Sequence, residues 1–151
     1  MNNLTALYPN LLSTEIIGYS YEERPLRLLK VTNKNINASR PAVFLDSGIH
    51  AREWISPATL TYLVNRLITD PQYLDIVYNL DLYVVPVLNV DGYEYTHTTN
   101  RMWRKSRKPN SGSVPICFGT DLNRNFPFQW CTVGKYFSQN FIEFQLHICQ
   151  F

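Results

Sequence analysis

A histidine and a glutamate three residues apart are the first side chains in this sequence that could support chemistry. His50 and Glu53 follow an apolar run, residues 42–45, that is bounded by Pro41 and by Ser47-Gly48. Such a run is typical of a buried strand that ends in a turn, and open α/β sheets place their sites at the carboxyl ends of strands. Imidazole and carboxylate are both zinc ligands, and a catalytic zinc takes three protein ligands and a water. The pair therefore predicts half of a metal site, although this spacing alone is more often coincidental.

The segments that follow this pair indicate how it is held. Apolar residues recur at helical spacing over residues 54–69, which predicts a helix with Glu53 in its first turn. Within one turn, a separation of three residues lets both side chains converge on one point. The apolar run 82–88 predicts a second strand, with Pro86 near its end because proline cannot donate to a ladder. Strand, helix and strand in this order predict a right-handed crossover and neighbouring strands.

The remaining segments before residue 82 complete an α/β pattern. Residues 4–12 resemble the end of a helix that runs into Pro9. Residues 15–19 and 26–31 predict two strands of a hairpin. Pro71 predicts a short helical stretch through Tyr78, since proline suits a first helical position. No internal repeat or linker divides the chain, so we expect one domain.

Composition and charge argue against several functional classes. The chain has 151 residues, of which 17% are charged and 14% aromatic, and this is typical of a globular domain. The net charge of +2 is too small to indicate a nucleic-acid partner, although residues 101–108 are locally basic. No apolar stretch is long enough for a membrane span, and the N-terminus lacks the pattern of a signal peptide. We therefore expect a monomer that binds neither nucleic acid nor membrane.

A long polar segment follows the second strand and carries arginines. Residues 89–120 are predicted to be irregular, and a loop of this length in a compact domain is usually functional. Arg104 lies within this segment, and Asn123 and Arg124 lie just beyond it. A guanidinium presents a planar fork that can bond both oxygens of a carboxylate. Any single arginine is more often part of a solvated surface.

Four motifs together carry a resemblance to a known family. They are His50-Ala51-Arg52-Glu53-Trp54, Asn89-Val90-Asp91-Gly92-Tyr93, Arg101-Met102-Trp103-Arg104-Lys105 and Asp121-Leu122-Asn123-Arg124-Asn125. Over residues 4–134 their order and spacing resemble the zinc metallocarboxypeptidases related to pancreatic carboxypeptidases A and B. The residues within these motifs are most similar to those of the secreted digestive or moulting-fluid enzymes of insects. The resemblance implies an α/β/α fold in which helices flank a mixed β-sheet, incomplete in this chain.

The resemblance implies a catalytic role for the residues that match the family's metal site. His50 and Glu53 would bind one Zn²⁺, and Arg104 would polarise the scissile carbonyl and hold the developing oxyanion. The implied reaction is hydrolysis of the C-terminal peptide bond, and the implied location is extracellular.

The resemblance also implies a substrate, which is the C-terminus of a peptide or protein. Asn123, Arg124 and Arg104 would contact the terminal residue and its peptide bond, with the first two clasping the free carboxylate. Arg52 would contact the substrate further from its end. A buried arginine left unpaired by an internal amide would supply the discrimination.

The end of the chain departs from the family. The family's third zinc ligand, a histidine, and its general-base glutamate are expected beyond Phe151, and His147 comes too soon after Arg124 to replace that histidine. His97 has no ligand partner at the family's spacing. We therefore expect residues 1–134 to be an N-terminal part of the catalytic domain that is inactive by itself.

Residues 135–151 do not resemble the family. Because Gly134-Lys135-Tyr136 can be encoded by GGTAAGTAT, which contains a splice-donor sequence, we hypothesise that this tail is translated intron. Sequencing the transcript and its genomic locus tests this, and a separate, properly joined exon for the tail would contradict it.

The cysteines are three in number, Cys117, Cys131 and Cys149. The family pairs the cysteine that matches Cys117 with one just past the point where the resemblance ends. We therefore expect Cys117 to have lost its partner, which Cys131 or Cys149 could replace only through chance geometry.

Two functions from different classes remain. The first is a metallocarboxypeptidase, by lineage. The second is a non-catalytic fragment that at most binds peptide C-terminal carboxylates. An unrelated α/β domain with coincidental motifs is a third reading, and four motifs in register argue against it.

Overall fold

A mixed four-stranded sheet forms the centre of the fold. This computed structural model describes residues 2–36, 38–110 and 117–127. In chain order the elements are α1 (Asn2–Leu7), β1 (Leu12–Tyr19), β2 (Pro25–Val31), β3 (Ala42–Asp46), α2 (Ile55–Thr69), α3 (Leu74–Asn79), β4 (Asp81–Val85) and α4 (Val90–Thr98), with 3₁₀ turns at Pro71–Tyr73 and Leu122–Arg124. The strand order is β1-β2-β4-β3, with β3 and β4 parallel and the other pairs antiparallel. The predicted α/β class with a mixed sheet is confirmed, and no helix in these ranges has the length and apolar character of a membrane span.

β1 and β2 form the predicted hairpin, which begins with Leu12 opposite Val31. The prediction of helix over residues 4–12 is wrong in its second half, because α1 ends at Leu7. The amide of Leu12 donates to the carbonyl of Tyr8 (2.9 Å), which closes a turn, and the Leu12 side chain is then buried in the core. Burial of one aliphatic side chain is worth about 1.5–3 kcal/mol, which is more than the free energy that helix propensity contributes for one residue. Burial of Leu12 therefore favours the strand over a longer helix.

β3, α2 and β4 form the predicted crossover unit. β3 and β4 are parallel neighbours, with Val43 opposite Leu82 and Leu45 opposite Val84. Pro86 directly follows the last residue of β4, so its missing N–H lies outside the ladder as predicted. The carboxyl ends of both strands therefore reach the same edge of the sheet.

Glu53 lies before α2 and not in its first turn, which corrects the sequence-based prediction. The helix begins at Ile55. The amide of Glu53 donates to the carbonyl of His50 (3.2 Å), so residues 50–53 form a turn of their own. The amide of Ala51 donates to the carbonyl of Arg104 (3.1 Å), and this nonlocal bond holds the turn apart from the helix.

The hydrophobic core lies on one face of the sheet, against α2 and α3. On α2 its residues recur at helical spacing, which is the amphipathic pattern that the sequence predicts. The buried residues of this core are Leu12, Leu29, Val31, Leu60, Val64, Leu67, Ile68, Val77, Leu82 and Val84.

The opposite face of the sheet is open in the described part of the chain. Phe44 of β3 lies opposite Tyr83 of β4, and Tyr83 lies opposite Lys30 of β2. Phe44 is 60% exposed, and Lys30 forms an ion pair with Glu15. Within the described ranges no further strand pairs with β3, which is the edge of the sheet there. Further structure usually covers an exposed aromatic residue on a parallel edge strand.

Residues 90–98 form α4, although the sequence analysis predicts an irregular segment there. Asn89 caps this helix, because its side-chain oxygen accepts a hydrogen bond from the amide of Gly92 (3.0 Å). Gly92 and two threonines give the segment a low helix propensity, and its few apolar residues show no helical periodicity, so the sequence analysis misses this helix. Asn89 followed by Asp91 in the first turn is the capping signal that could have identified it.

Asp91 ties α4 to the turn of the hairpin. Its buried carboxylate accepts hydrogen bonds from the hydroxyl of Ser20 (2.6 Å), the amide of Glu22 (3.0 Å) and the guanidinium of Arg24 (2.8 Å). Burial by itself would raise the pKa of Asp91, but these three donors lower the pKa below its ordinary value. The carboxylate is therefore ionised in the folded protein at neutral pH.

Two leucines on α2 test the position of the core. Leu67 is 8% exposed and Leu63 is 42% exposed. We expect Leu67→Ala to lower the free energy of unfolding by about 2–5 kcal/mol, because it leaves a cavity beneath the helix. Leu63→Ala is the matched control and should cost less than about 1 kcal/mol. Urea denaturation followed by circular dichroism measures both, and equal costs would contradict this position of the core.

Asp91→Asn tests the link between α4 and the hairpin. The pKa of Asp91 in the folded state is below the unfolded value of about 3.9, so its charge stabilises the fold above that pH and this stabilisation is lost as the pH falls through the lowered pKa. We expect the variant to lose about 1–3 kcal/mol of unfolding free energy at neutral pH. The difference from the parent chain should shrink below about pH 4.

Urea denaturation at a series of pH values measures this difference. Asp75→Asn, at an exposed acid in the first turn of α3, is the matched control. A deficit for Asp91→Asn that stays constant down to about pH 2 would show that the charge of Asp91 does not stabilise the fold.

Candidate active site

Hydrogen bonds join the chain segments just beyond the ends of β3 and β4. The amide of Ser47 donates to the carbonyl of Val85 (3.0 Å), and the amide of Asn89 donates to the carbonyl of Gly48 (3.1 Å). Gly48 has a φ of 65°, and a Cβ there would lie 3.2 Å from the Cα of Val87. Glycine therefore allows the tight turn that carries the following residues along the edge of the sheet.

His50 lies between two carboxylates. Its Nδ1 lies 3.1 and 3.2 Å from the two carboxylate oxygens of Glu53, and its Nε2 lies 3.0 Å from Oδ1 of Asp121. The imidazole is buried, whereas the side chain of Glu53 is 45% exposed. A neutral imidazole has one N–H and one lone pair, so donation from Nε2 to Asp121 leaves the Nδ1 lone pair directed at Glu53. Histidine binds metals in this state.

Asp121 is a residue of this cluster to which the sequence analysis assigns no role. Its carboxylate also accepts hydrogen bonds from the amide of Asn123 (3.0 Å) and from Nε of Arg104 (3.3 Å). Burial by itself would raise the pKa of Asp121, but the bonds from His50 and Arg104 lower it below its ordinary value. Its contact with His50 joins residues 71 positions apart, which no local pattern in the sequence signals.

Arg104 joins the two carboxylates that flank the histidine. Its Nη1 donates to Glu53 (3.0 Å) and its Nε donates to Asp121 (3.3 Å). Its backbone carbonyl accepts from the amide of Ala51 (3.1 Å). The structure therefore brings together His50, Glu53 and Arg104, which the sequence analysis proposes as metal and catalytic residues.

The other predicted site residues make different contacts. Asn123 and Arg124 are exposed in the 3₁₀ turn, where the guanidinium of Arg124 donates to the carbonyl of Asn123 (2.9 Å). The carbonyl of Arg52 accepts from the guanidinium of Arg101 (2.9 Å). In the described ranges, no hydrogen bond or ion pair joins these three predicted side chains to His50, Glu53 or Arg104. Their substrate-binding roles stay predictions.

His50 and Glu53 suit part of a zinc site. A tetrahedral zinc about 2.1 Å from each ligand keeps neighbouring ligand atoms about 3.4 Å apart. Nδ1 of His50 and the oxygens of Glu53 are 3.1 and 3.2 Å apart, and both are donors that zinc accepts. Among the described residues no group of three histidine, cysteine or acidic side chains could hold a metal ion. The two donors therefore fit zinc as part of a ligand set, and His147 lies outside the described residues.

His97 packs on an aromatic ring and does not face the cluster. Its imidazole stacks on Trp54, with ring centroids 4.2 Å apart and planes inclined by 12°. The guanidinium of Arg101 also lies over the Trp54 ring, 3.8 Å from its centroid. The indole N–H of Trp54 donates to the hydroxyl of Thr96 (2.9 Å). These contacts fasten the end of α4 to the segment that carries Glu53.

Cys117 is buried and disulfide-bonded. A bond at Cys117 is the outcome that the sequence analysis expects only where another cysteine replaces the family's partner. The two cysteines that it names as replacements, Cys131 and Cys149, lie outside the described residues. A covalent link at Cys117 restrains the segment that leads to Asp121.

Comparisons with known proteins show which family and which fold this chain resembles. The zinc carboxypeptidase family matches residues 1–143 of the chain. The chain is 47% identical over 135 residues to carboxypeptidase B of Astacus astacus, and the aligned region covers 89% of this chain and 44% of that protein. It is 49% identical over 133 residues to carboxypeptidase B of Bos taurus, and the aligned region covers 83% of this chain and 30% of that protein. The fold is similar to the crystal structure of carboxypeptidase A from Helicoverpa armigera, with a TM-score of 0.79, 35% identity, and coverage of 87% of this chain and 32% of that chain.

The chain spans less than half the length of each of these proteins. The family match extends to residue 143, while the predicted boundary after residue 134 lies outside the described residues and stays a prediction. The matched range contains His50, Glu53, Arg104 and Asp121. On these grounds the chain belongs to the zinc carboxypeptidase family.

Proposed function

We propose that this chain supplies part of the active site of a zinc-dependent metallocarboxypeptidase, which hydrolyses the C-terminal peptide bond of peptides and proteins. The observation that carries this proposal is the imidazole of His50 between Glu53 and Asp121, with Arg104 joining the two carboxylates. This cluster lies beyond the carboxyl ends of parallel strands, where sheets of this class bind ligands. Membership of the family supports the same chemistry.

In this proposal His50 and Glu53 hold the zinc ion. The hydrogen bond from Nε2 of His50 to Asp121 fixes the tautomer and the orientation of the ring, so that Nδ1 presents its lone pair to the metal. Bound zinc would make its coordinated water acidic enough to act as a nucleophile near neutral pH. The chain's own contribution is to orient the ligands and to keep Asp121 ionised.

Arg104 is the proposed electrophilic residue. Its guanidinium lies beside the ligand Glu53 and is held by Asp121 and by the backbone bond to Ala51. A cation held in this way needs little reorganisation when negative charge develops on the scissile carbonyl oxygen. Such a donor is worth about 3 kcal/mol of transition-state stabilisation.

Asn123 and Arg124 are proposed to clasp the terminal carboxylate of the substrate, and Arg52 to contact it further from the end. The exposed guanidinium of Arg124 can present its fork to both oxygens of a carboxylate. An internal amide offers no negative charge for this guanidinium to pair with, so the contact favours chain ends. The sequence analysis expects a buried arginine here, whereas Arg124 is exposed among the described residues.

A second candidate function is a non-catalytic module that binds peptide C-termini. The observation that favours it is the presence of two zinc donors, and not three, among the described residues.

We propose an extracellular location in either case, supported by the disulfide bond at Cys117, because such bonds persist in oxidising compartments.

Zinc titration and a hydrolysis assay test the proposed metal site. We expect the polypeptide of these 151 residues, tested alone, to bind zinc weakly and to release no terminal residue from benzoylglycyl-phenylalanine or benzoylglycyl-arginine. The reason is that two protein ligands, His50 and Glu53, hold zinc far less tightly than the three that a catalytic site uses.

Calorimetry should show His50→Ala lowering the zinc affinity by about tenfold or more. His97→Ala, which removes the histidine stacked on Trp54, is the matched control and should leave the affinity unchanged. Hydrolysis by the parent chain that a chelator abolishes would refute the non-catalytic candidate. Equal zinc affinity of both variants would refute His50 as a ligand.

A pair of peptides tests carboxylate recognition. We expect the chain to bind benzoylglycyl-phenylalanine with a free C-terminus and to bind its amide about tenfold or more weakly, because the amide lacks the charge that the guanidinium pairs with. Arg124→Gln should remove this preference, whereas Arg27→Gln, at an exposed arginine on β2, should keep it. Fluorescence anisotropy of a labelled peptide measures the affinities, and equal binding of acid and amide to the parent chain would contradict the assignment.

A further inference from the structure

Asn89 is a buried residue just beyond the end of β4, and its side chain bonds to three different parts of the chain. The side chain's Nδ2 donates to the carbonyls of Ile49 (3.2 Å) and Lys105 (3.0 Å). Its Oδ1 accepts from the amide of Gly92 (3.0 Å). Asn89 is 4% exposed, so these bonds replace the water that an amide would otherwise bind.

The two carbonyls that Asn89 bonds belong to the neighbours of two proposed site residues. Ile49 precedes His50, and Lys105 follows Arg104. A direct backbone bond from Ala51 to Arg104 (3.1 Å) lies between the same two segments. One side-chain amide therefore spans the gap between the segment that carries the metal ligands and the segment that carries the guanidinium.

Close packing fixes the position of this amide. A Cβ at Gly92 would lie 2.6 Å from Nδ2 of Asn89 and 2.7 Å from the carbonyl oxygen of Lys105. No real Cβ approaches other atoms so closely, so only glycine allows the amide to lie between α4 and Lys105. The backbone amide of Asn89 is also bonded, to the carbonyl of Gly48 (3.1 Å).

We propose that Asn89 is a positioning residue that sets the separation of His50 and Arg104, a role that rests on the proposed carboxypeptidase function of that site. The role requires an amide, because Nδ2 donates to both carbonyls while Oδ1 accepts from the amide of Gly92. The carbonyl of Lys105 also accepts from the indole N–H of Trp103 (2.7 Å), but Trp103 belongs to the same segment as Arg104, so that bond does not join the two segments. Aspartate has nearly the same shape and keeps the acceptor, but it would place a carboxylate oxygen against two carbonyl oxygens. Asn89→Asp therefore separates this bridging role from the helix-capping role.

Amide hydrogen exchange on the 151-residue chain tests the bridge. The experiment measures the exchange rate of the Ala51 amide divided by the mean exchange rate of the β4 amides, which we call the exchange ratio. We expect Asn89→Asp to raise this ratio by about tenfold, since loss of the bridge lets the two segments separate without global unfolding. Leu67→Ala, which destabilises the distant core, is the control and should not raise the ratio, because global unfolding exposes the β4 amides at least as much as the Ala51 amide. An unchanged ratio in Asn89→Asp would overturn the proposal.

A second variant covers the case in which Asn89→Asp does not fold. Asn89→Ser keeps a good helix-capping residue and cannot donate to both carbonyls, so the same rise in the ratio is expected. A ratio in this variant equal to that of the parent chain would overturn the proposal.

Binding of benzoylglycyl-phenylalanine connects the bridge to the site. We expect both Asn89 variants to weaken binding about tenfold and Leu67→Ala to leave it unchanged. A variant with a raised exchange ratio and unchanged affinity would overturn the positioning role. A parent chain that binds no peptide would contradict the proposed function instead, and the exchange ratio would still decide whether Asn89 bridges the two segments.

Discussion

The imidazole of His50 lies between two carboxylates, and a neutral imidazole has one N–H and can donate to only one of them. Donation from Nε2 to Asp121 adds to the bonds that this carboxylate accepts from Arg104 and from the amide of Asn123. The lone pair of Nδ1 then faces the carboxylate of Glu53, which is a repulsive arrangement unless positive charge lies beside it. Arg104 supplies such a charge at 3.0 Å from Glu53. The geometry of the cluster thus favours a cation next to the histidine and the glutamate.

The sheet creates this arrangement by ending two parallel strands side by side. The tight turn at Gly48 and the bonds beyond β3 and β4 carry His50 along that edge, and Asn89 starts α4 from the same place. The segment with Arg104 is irregular, so backbone and side-chain bonds have to position it. The amide of Ala51 donates to the carbonyl of Arg104 itself, and the side chain of Asn89 donates to the carbonyl of the next residue, Lys105.

The sequence predicts those parts of the structure that depend on local periodicity and on proline. The hairpin, the crossover unit and the placement of Pro86 follow from apolar spacing and from the donor that proline lacks. Helix α4 is missed because its side chains show little apolar periodicity, and the start of α2 is missed because a nonlocal bond at Ala51 sets it. The motifs predict His50, Glu53 and Arg104 as site residues, and the structure brings their side chains together. No role is predicted for Asp121 from the sequence, because its contact with His50 exists only once the chain has folded.

The contact between His50 and Asp121 spans 71 positions, and this has a consequence for the order of events on the ribosome. At about 5–20 residues per second, about 4–14 seconds separate the synthesis of the two residues. The hairpin and crossover strands, residues 12–85, are complete before Asp121 is made. The strands of the hairpin and of the crossover unit can therefore pair before Asp121 is made, and the imidazole of His50 gains this carboxylate partner only afterwards.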